Sequence, residues 1–284
     1  MNNPLLNVAA FVARITPVSF KRALYRFGPL ARLIRGGLNR AAPHGLTRTA
    51  VAAGGLAGGT LLLDLQEEKD YWLGTYEPEL QSAIAELAVP GMVAYDVGAN
   101  IGYISILLAR RAGEKGRVFA FEALPANLER LHRNLALNGL QTQVEVVEAA
   151  VADRSGPVQF LLGPSGGMGK AAGSAGRQTE YKQAISVAGL ALDDFAYAQG
   201  NPAPQVVKMD IEGGEMLALP GMRRLLREAH PLMLIELHGP EAAHVAWDEL
   251  SQAGYRICRM EAGYPTVDSM EALDWKAYIV ANAN

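Results

Sequence analysis

VAYDVGANIGYISILLAR, Val93 to Arg110, is the stretch whose reading decides the fold. Val93, Tyr95 and Val97 are strand formers, so Val93 to Val97 reads as a strand. Ile104, Leu107, Leu108 and Arg110 fall at helical spacing, so a helix opens near Tyr103. Between them Gly98 and Gly102 let the backbone turn sharply and let a ligand approach with no Cβ in the way. Asp96 stands at the strand end, where open α/β sheets place their ligand contacts. The same pattern fits a tight loop in any α/β protein, so the neighbouring residues must decide.

A dinucleotide fingerprint needs G-x-G-x-x-G to seat a pyrophosphate on a helix N-terminus. Here the spacing is D-x-G-x-N-x-G: Asp96, Gly98, Asn100 and Gly102. A carboxylate beside the glycines repels a pyrophosphate but suits an ammonium group, which favours S-adenosylmethionine. Val118 to Phe121 reads as the next strand and ends in Glu122, 24 residues past Gly98. A carboxylate at that place accepts hydrogen bonds from both ribose hydroxyls.

Upstream, the composition changes. The chain has 284 residues and a formal charge of −3, yet residues 1–63 hold eight basic side chains and no acid. The remainder carries 18 basic against 29 acidic residues, a formal −11. Leu24, Phe27, Leu30, Ile34 and Leu38 step at helical spacing among arginines, and Pro17 and Pro29 are expected to break the segment into short helices. Two roles stay open for residues 1–45: peripheral contact with an anionic membrane at its inner face, or a cap docked on the core. No apolar run approaches the roughly 20 residues of a spanning helix, and no signal peptide is expected. With one cysteine, Cys258, an internal disulfide is impossible, and the cytoplasm is the default location. Val51 to Leu65 reads as a strand pair punctuated by glycines. The aromatics Tyr71, Trp72 and Tyr76 then either roof a pocket or pack the extension onto the core. Residues 1–75 are expected to form a basic helical extension with a short β-hairpin, and 76–284 the cofactor-binding domain.

Downstream, strands and helices alternate. Pro125 opens a helix closed by Gly139, and Val144 to Val151 reads as one strand followed by Asp153. Gly163 to Arg177 is glycine-rich and reads as a flexible loop, a lid or a disordered segment. Leu190 to Ala198 and Met216 to Glu228 read as helices; Val206 to Ile211 and Leu232 to Leu237 read as buried strands. A helix over 241–254 and two closing strands follow. The expected fold is α/β, a Rossmann-like, mostly parallel mixed sheet with helices on both faces.

Chemistry is expected at the ends of the later strands. KMDIEGGE (208–215) sends out Lys208, Asp210 and Glu212 at period two, and LIELHG (234–239) adds Glu236 and His238. Charges so placed must pair, bind metal or face a cleft. One reading is a salt-bridge set around Lys208. The other is a general base or a divalent-metal site, with Asp210, Glu212 and Glu236 as ligands of Mg²⁺.

With these motifs in view, the chain resembles the FkbM family of class I methyltransferases that use S-adenosylmethionine. The matching pieces are GTYEPEL (74–80), YDVGANIGY (95–103), FAFEALPAN (119–127), NLALNG (134–139), AAVADRSG (149–156), LDDF (192–195), KMDIEGGE and IELHG. The resemblance implies methyl transfer to a hydroxyl oxygen of a sugar, glycolipid or secondary metabolite. It implies Asp96, Gly98, Asn100 and Gly102 as the cofactor loop, Glu122 as the ribose acid, and Asp153 near the adenine. His238 is the first choice of base by its ordinary pKa near 6.5, and Asp210 the second. A non-catalytic partner protein of the same fold and a nicotinamide-dependent oxidoreductase are the alternatives. No nucleic-acid partner is expected, because the core is acidic.

Overall fold

The computed structural model describes residues 3–16, 28–163, 169–176, 181, 183–273 and 276–283. The helix Pro4–Ile15 is capped by Asn3, whose side chain accepts from the Leu5 amide at 3.0 Å. A second helix, Gly28–Ala41, packs on it, and Leu6, Ala13 and Leu38 turn inward. Pro29 stands in the first turn of that helix, where its missing N–H costs no helical hydrogen bond. Pro17, Leu24 and Phe27 lie outside the described residues.

Strand β1 (Leu46–Ala50) pairs antiparallel with β2 (Thr60–Asp64). The hairpin therefore begins before Val51, and Val51 to Gly59 is its connection. That connection is closed by its own backbone bonds, Val51 N to Gly59 O and Gly58 N to Val51 O, which end the ladder at the Ala50–Thr60 pair. After the helices Lys69–Leu73 and Pro78–Leu87 come β3 (Val93–Val97), β4 (Arg117–Glu122), β5 (Val144–Glu148) and β6 (Ala150–Val151). Then follow β7 (Gly156–Leu162), β8 (Gly169–Ala171), β9 (Gln183–Leu190), β10 (Val206–Met209), β11 (Leu232–His238), β12 (Tyr255–Arg259) and β13 (Lys276–Ala283).

Seven of these form the central sheet in the order β12-β13-β11-β10-β3-β4-β5. Only β13 runs antiparallel to its neighbours, so the sheet is mixed and mostly parallel, as expected. Adjacent residues of one strand serve opposite faces. Ala94 packs with Val118, Val206 and Leu234 under the helices Pro78–Leu87 and Tyr103–Ala112. Tyr95 packs with Phe119, Val207 and Met233 under residues 215–228 and the helix Pro240–Gln252. Both faces are buried, which is why the strands read as nearly continuous apolar runs. Leu6, Leu38 and Leu61 join the first cluster, so the N-terminal helices and hairpin share the core of the sheet.

Four sequence expectations change. Val144–Val151 is two strands in two sheets, because the chain leaves the central sheet at Ala149 and pairs β6 with β9. The glycine-rich segment is not wholly a loop: its Gly169–Ala171 pairs with β7, while 164–168 and 177–180 lie outside the described residues. Lys170 is buried there and donates to the Ala175 carbonyl at 2.7 Å. Leu190 ends β9, and the helical turn is Asp194–Ala198. The helix expected over 216–228 is split into Glu215–Ala218, a 3-10 turn and Arg223–Glu228, since Pro220 has no amide hydrogen to continue the ladder.

Candidate functional site

The strand order reverses between β3 and β10, and a ligand crevice is expected beyond the carboxyl ends of strands at such a point. A cleft of about 750 Å³ opens there. Its floor is the turn after β3. Gly98 has φ +79°, and a Cβ on it would lie 1.9 Å from the Asp210 carbonyl oxygen, so only glycine fits. The amides of Gly98 and Ala99 both donate to the Phe121 carbonyl, which pins the turn to β4.

Glu122 ends β4 and lines the cleft. Its Oε2 accepts from the Asn100 amide at 2.8 Å, and its Oε1 accepts from the amides of Ala123 and Leu124 at 3.0 and 2.8 Å. Burial pushes the carboxyl up; these backbone donors partly offset the rise and hold the group in one orientation. Gly98, Asn100 and Glu122 thus meet in the cleft as expected, with Ala149 to Val151 and Phe160 forming another part of its wall. Three other expected ligands lie elsewhere. Asp96 is fully buried under the turn, with Oδ1 at 3.1 Å from Lys208 Nζ and Oδ2 accepting from Ser105 at 2.6 Å. Gly102, at φ +89°, sits where a Cβ would meet Leu131, so it serves helix packing. Asp153 is exposed and is not among the residues lining the cleft.

Asp210 follows the last residue of β10 and lines both the cleft and a smaller cavity of about 170 Å³ behind it. That cavity is lined by Glu77, Lys208, Glu236 and Tyr278 as well. His238 binds the cluster together: its Nδ1 is 3.2 Å from Glu215 Oε1, and its Nε2 is 3.2 Å from Glu236 Oε1 and 3.8 Å from Asp210 Oδ1. Glu212 is more distant, at 3.9 Å, and partly exposed. Lys276, opposite His238 in the β11–β13 ladder, reaches Glu236 Oε1 at 2.5 Å.

Charge decides the chemistry of this cluster. Burial would lower the His238 pKa, but its hydrogen bonds to Glu215 and Glu236 outweigh burial and raise it to about 10. The imidazole is therefore a cation at neutral pH, with a carboxylate on each nitrogen. Burial raises Glu236, yet His238 and Lys276 bring it down to about 2. Burial also pushes Lys208 down, and Asp96, Asp210 and Glu77 overcome that and hold it above the usual lysine range. Asp210 is left near 8: burial drives it up, Glu236 and Glu77 add to the rise, and Lys208 and His238 only partly oppose it. Burial thus pushes up both carboxyls that line the inner cavity from this side, Glu77 and Asp210, the latter to about 8.

Asp210, Glu236 and His238 offer ligand atoms within 4.8 Å of one another, and among the described residues they are the one such group. The set does not fit Mg²⁺, which takes oxygen ligands in a near-octahedral array. One of the three is an imidazolium, and Glu236 is already occupied by Lys276 and His238.

Sequence reasoning gave no role to Glu77, Glu215 or Lys276. Glu77 takes a left-handed backbone, φ +40°, just before Pro78, and its buried carboxyl is raised in pKa mainly by that burial. No signal in the sequence shows a positive φ at a non-glycine residue. Tyr76 does line the cleft, stacked on Tyr71 at 4.2 Å and edge-on to Tyr103 at 5.6 Å.

A family model described as a methyltransferase FkbM domain matches residues 96–257. A hexuronic acid methyltransferase, AglP, of Haloferax volcanii is 26% identical over 162 residues, covering 57% of this chain and 62% of that protein. Among solved structures, a methyltransferase FkbM from Methylobacillus flagellatus is 19% identical, with a TM-score of 0.47, over 77% of this chain and 51% of that one. In both cases the chain spans less than two thirds of its relative's length.

Proposed function

This chain belongs to the methyltransferase FkbM family, and from that premise we propose that it moves a methyl group from S-adenosylmethionine to an acceptor hydroxyl. The observation that carries this reading is Asp210, whose carboxyl stands between the cofactor cleft and the inner polar cavity and titrates near 8. When bound, S-adenosylmethionine supplies an electrophilic methyl carbon on a good leaving group. The residues present fit it. Glu122, held rigid by three amides, is placed to accept ribose hydroxyls, and the Gly98 turn leaves room for close approach. Apolar Phe160 and Val151 offer a surface for the adenine.

What remains for the protein is to bring an acceptor oxygen into line and to take its proton. Asp210 is the base in this reading, because a proton acceptor is most effective with a pKa near the working pH. His238, first by its ordinary pKa, carries no vacant nitrogen between Glu215 and Glu236. It acts as the fixed cation that positions Asp210 and Glu236. The acceptor is proposed to be a sugar or a sugar-bearing metabolite, a reading supported by the relative named as a hexuronic acid methyltransferase. The family match sets the nicotinamide alternative aside. The test is methyl transfer from labelled S-adenosylmethionine to a panel of sugars and sugar acids, with the product's added methyl located by mass spectrometry. Label on nitrogen, or on no acceptor in cell extract, would overturn the oxygen assignment.

Two expected results follow from the geometry. Replacing Glu122 with Ala removes a charged acceptor and should weaken S-adenosylmethionine binding by about 1.5–3 kcal/mol. Calorimetry returning an unchanged affinity would remove Glu122 from the cofactor site. Because Lys276 and the His238 cation already fill the carboxylate cluster, activity should survive exhaustive chelation by EDTA. Its loss, with recovery on adding Mg²⁺, would establish a metal at Asp210 after all.

A further inference from the structure

The helix Pro4–Ile15 is apolar on both sides. Its inner side, Leu6 and Ala13, is buried against the core, and Arg14 Nε donates to the Ala52 carbonyl. Its outer side presents Leu5, Val8, Phe11, Val12 and Ile15, each between 46% and 64% exposed. These are five of the seven large hydrophobic side chains exposed among the described residues. With one apolar side already buried, the second leaves a concentrated exposed patch, and a patch of this kind marks a surface that something covers.

Charge selects the occupant. The patch belongs to the segment with eight basic side chains and no acid, and Arg14 on the same helix and Arg32, Arg40 and Arg48 on the elements that follow are exposed. The rest of the chain is strongly acidic. A second copy covering the patch would bring two such positive poles together, which costs Coulomb energy. An anionic surface attracts this pole and repels the acidic remainder, so it also sets the orientation. Twelve residues are too few to span a bilayer, and no helix among the described residues is long and apolar enough to cross one. A helix of this kind lies in the plane of the interface. We propose that the outer face of Pro4–Ile15 docks on an anionic lipid bilayer, with Phe11 and its neighbours entering the acyl boundary. The docking residues are thus on the first helix; Ile34 and Leu38 of the second, in the row that the sequence alone suggests, pack inward.

The test is co-sedimentation of the full chain with phosphatidylcholine vesicles, with and without phosphatidylglycerol, at low and high salt. Binding is expected only with phosphatidylglycerol, to fade as salt rises, and to weaken about tenfold or more in V8S/F11S, since a buried Phe side chain alone contributes that much. Should that variant misfold, hydrogen exchange on the unaltered protein replaces it: amides of the first helix should gain protection with anionic vesicles. Equal binding to neutral vesicles, unchanged binding by the folded variant, or no added protection would each overturn the proposal. So would a stable dimer that V8S/F11S dissociates, because the second copy would then be the occupant. None of these outcomes touches the methyl-transfer reading.

Discussion

Asp210→Asn should lower kcat by roughly 10²–10⁴-fold while leaving S-adenosylmethionine affinity nearly unchanged, the effect of removing a positioned general base. Asn keeps the size of the side chain but turns one acceptor oxygen into an NH₂ donor and takes up no proton. The sign of the pH dependence follows from the raised pKa. With Asp210 near 8, roughly a tenth of the enzyme is ionised at pH 7. The deprotonated form is the active one, so kcat/KM should climb with pH and level off above about 8. A Brønsted base nearer 4 would instead give a flat profile over the same range. His238→Gln offers a second readout. His238 is one of the cations that lower Asp210, so its removal should shift the inflection to higher pH and should not abolish the reaction. A folded D210N enzyme working within a few-fold of the original would end the assignment and leave the cluster a structural salt-bridge set. If both it and the unaltered protein bind cofactor without transferring methyl, the chain is a partner protein of the same fold.

Breaking the pair beneath the glycine turn should be the costliest single change to stability. Asp96 and Lys208 face each other at 3.1 Å, with side chains only 0% and 4% exposed, as direct register partners on the adjacent strands β3 and β10. Removing one partner strands a buried charge, which costs about 3–5 kcal/mol. Lys208→Met should therefore shift the urea midpoint strongly, and Asp96→Asn should do nearly as much, softened by the retained Ser105 bond. Replacing both together should recover part of the loss, since neither charge is then left alone. Lys208 Nζ also donates to the Gly98 carbonyl at 2.8 Å, so its loss loosens the cofactor turn as well. The experiment separates two roles for Asp96. If Asp96→Asn weakened cofactor binding with stability unchanged, the carboxylate would be a direct ligand of the ammonium group, as the sequence alone suggests.

Legibility in the sequence followed the range of the physics. Strand β3 and the helix Tyr103–Ala112 begin where they were read, because apolar spacing along a few residues is enough to choose between periods of 2 and 3.6. The alternation of strands and helices likewise led to a mostly parallel sheet. Glycine-rich composition misled at 169–171, which pairs with β7; local propensity cannot report a partner about ten residues away. The hairpin of β7 and β9 was missed for the same reason, although Val158, Phe160 and Leu162 alternate and carried a usable signal.

The candidate site divides the same way. Sequence by itself determined the strand–turn–helix with Gly98 at its bend, the acid at the end of the second strand, the cluster of acids around His238, and a basic N-terminus set against an acidic remainder. All of these are properties of residue identity and spacing. Tertiary structure alone decided that Asp96 is tied to Lys208, that His238 and Asp210 are both pushed up in pKa, and that Phe11 faces outward while Leu38 does not. Protonation depends on desolvation and on charges from other segments: Glu77 before a helix, Glu215 at the start of one, Lys276 from the last strand. Exposure depends on which face the rest of the chain covers. Neither is written in the neighbours along the backbone.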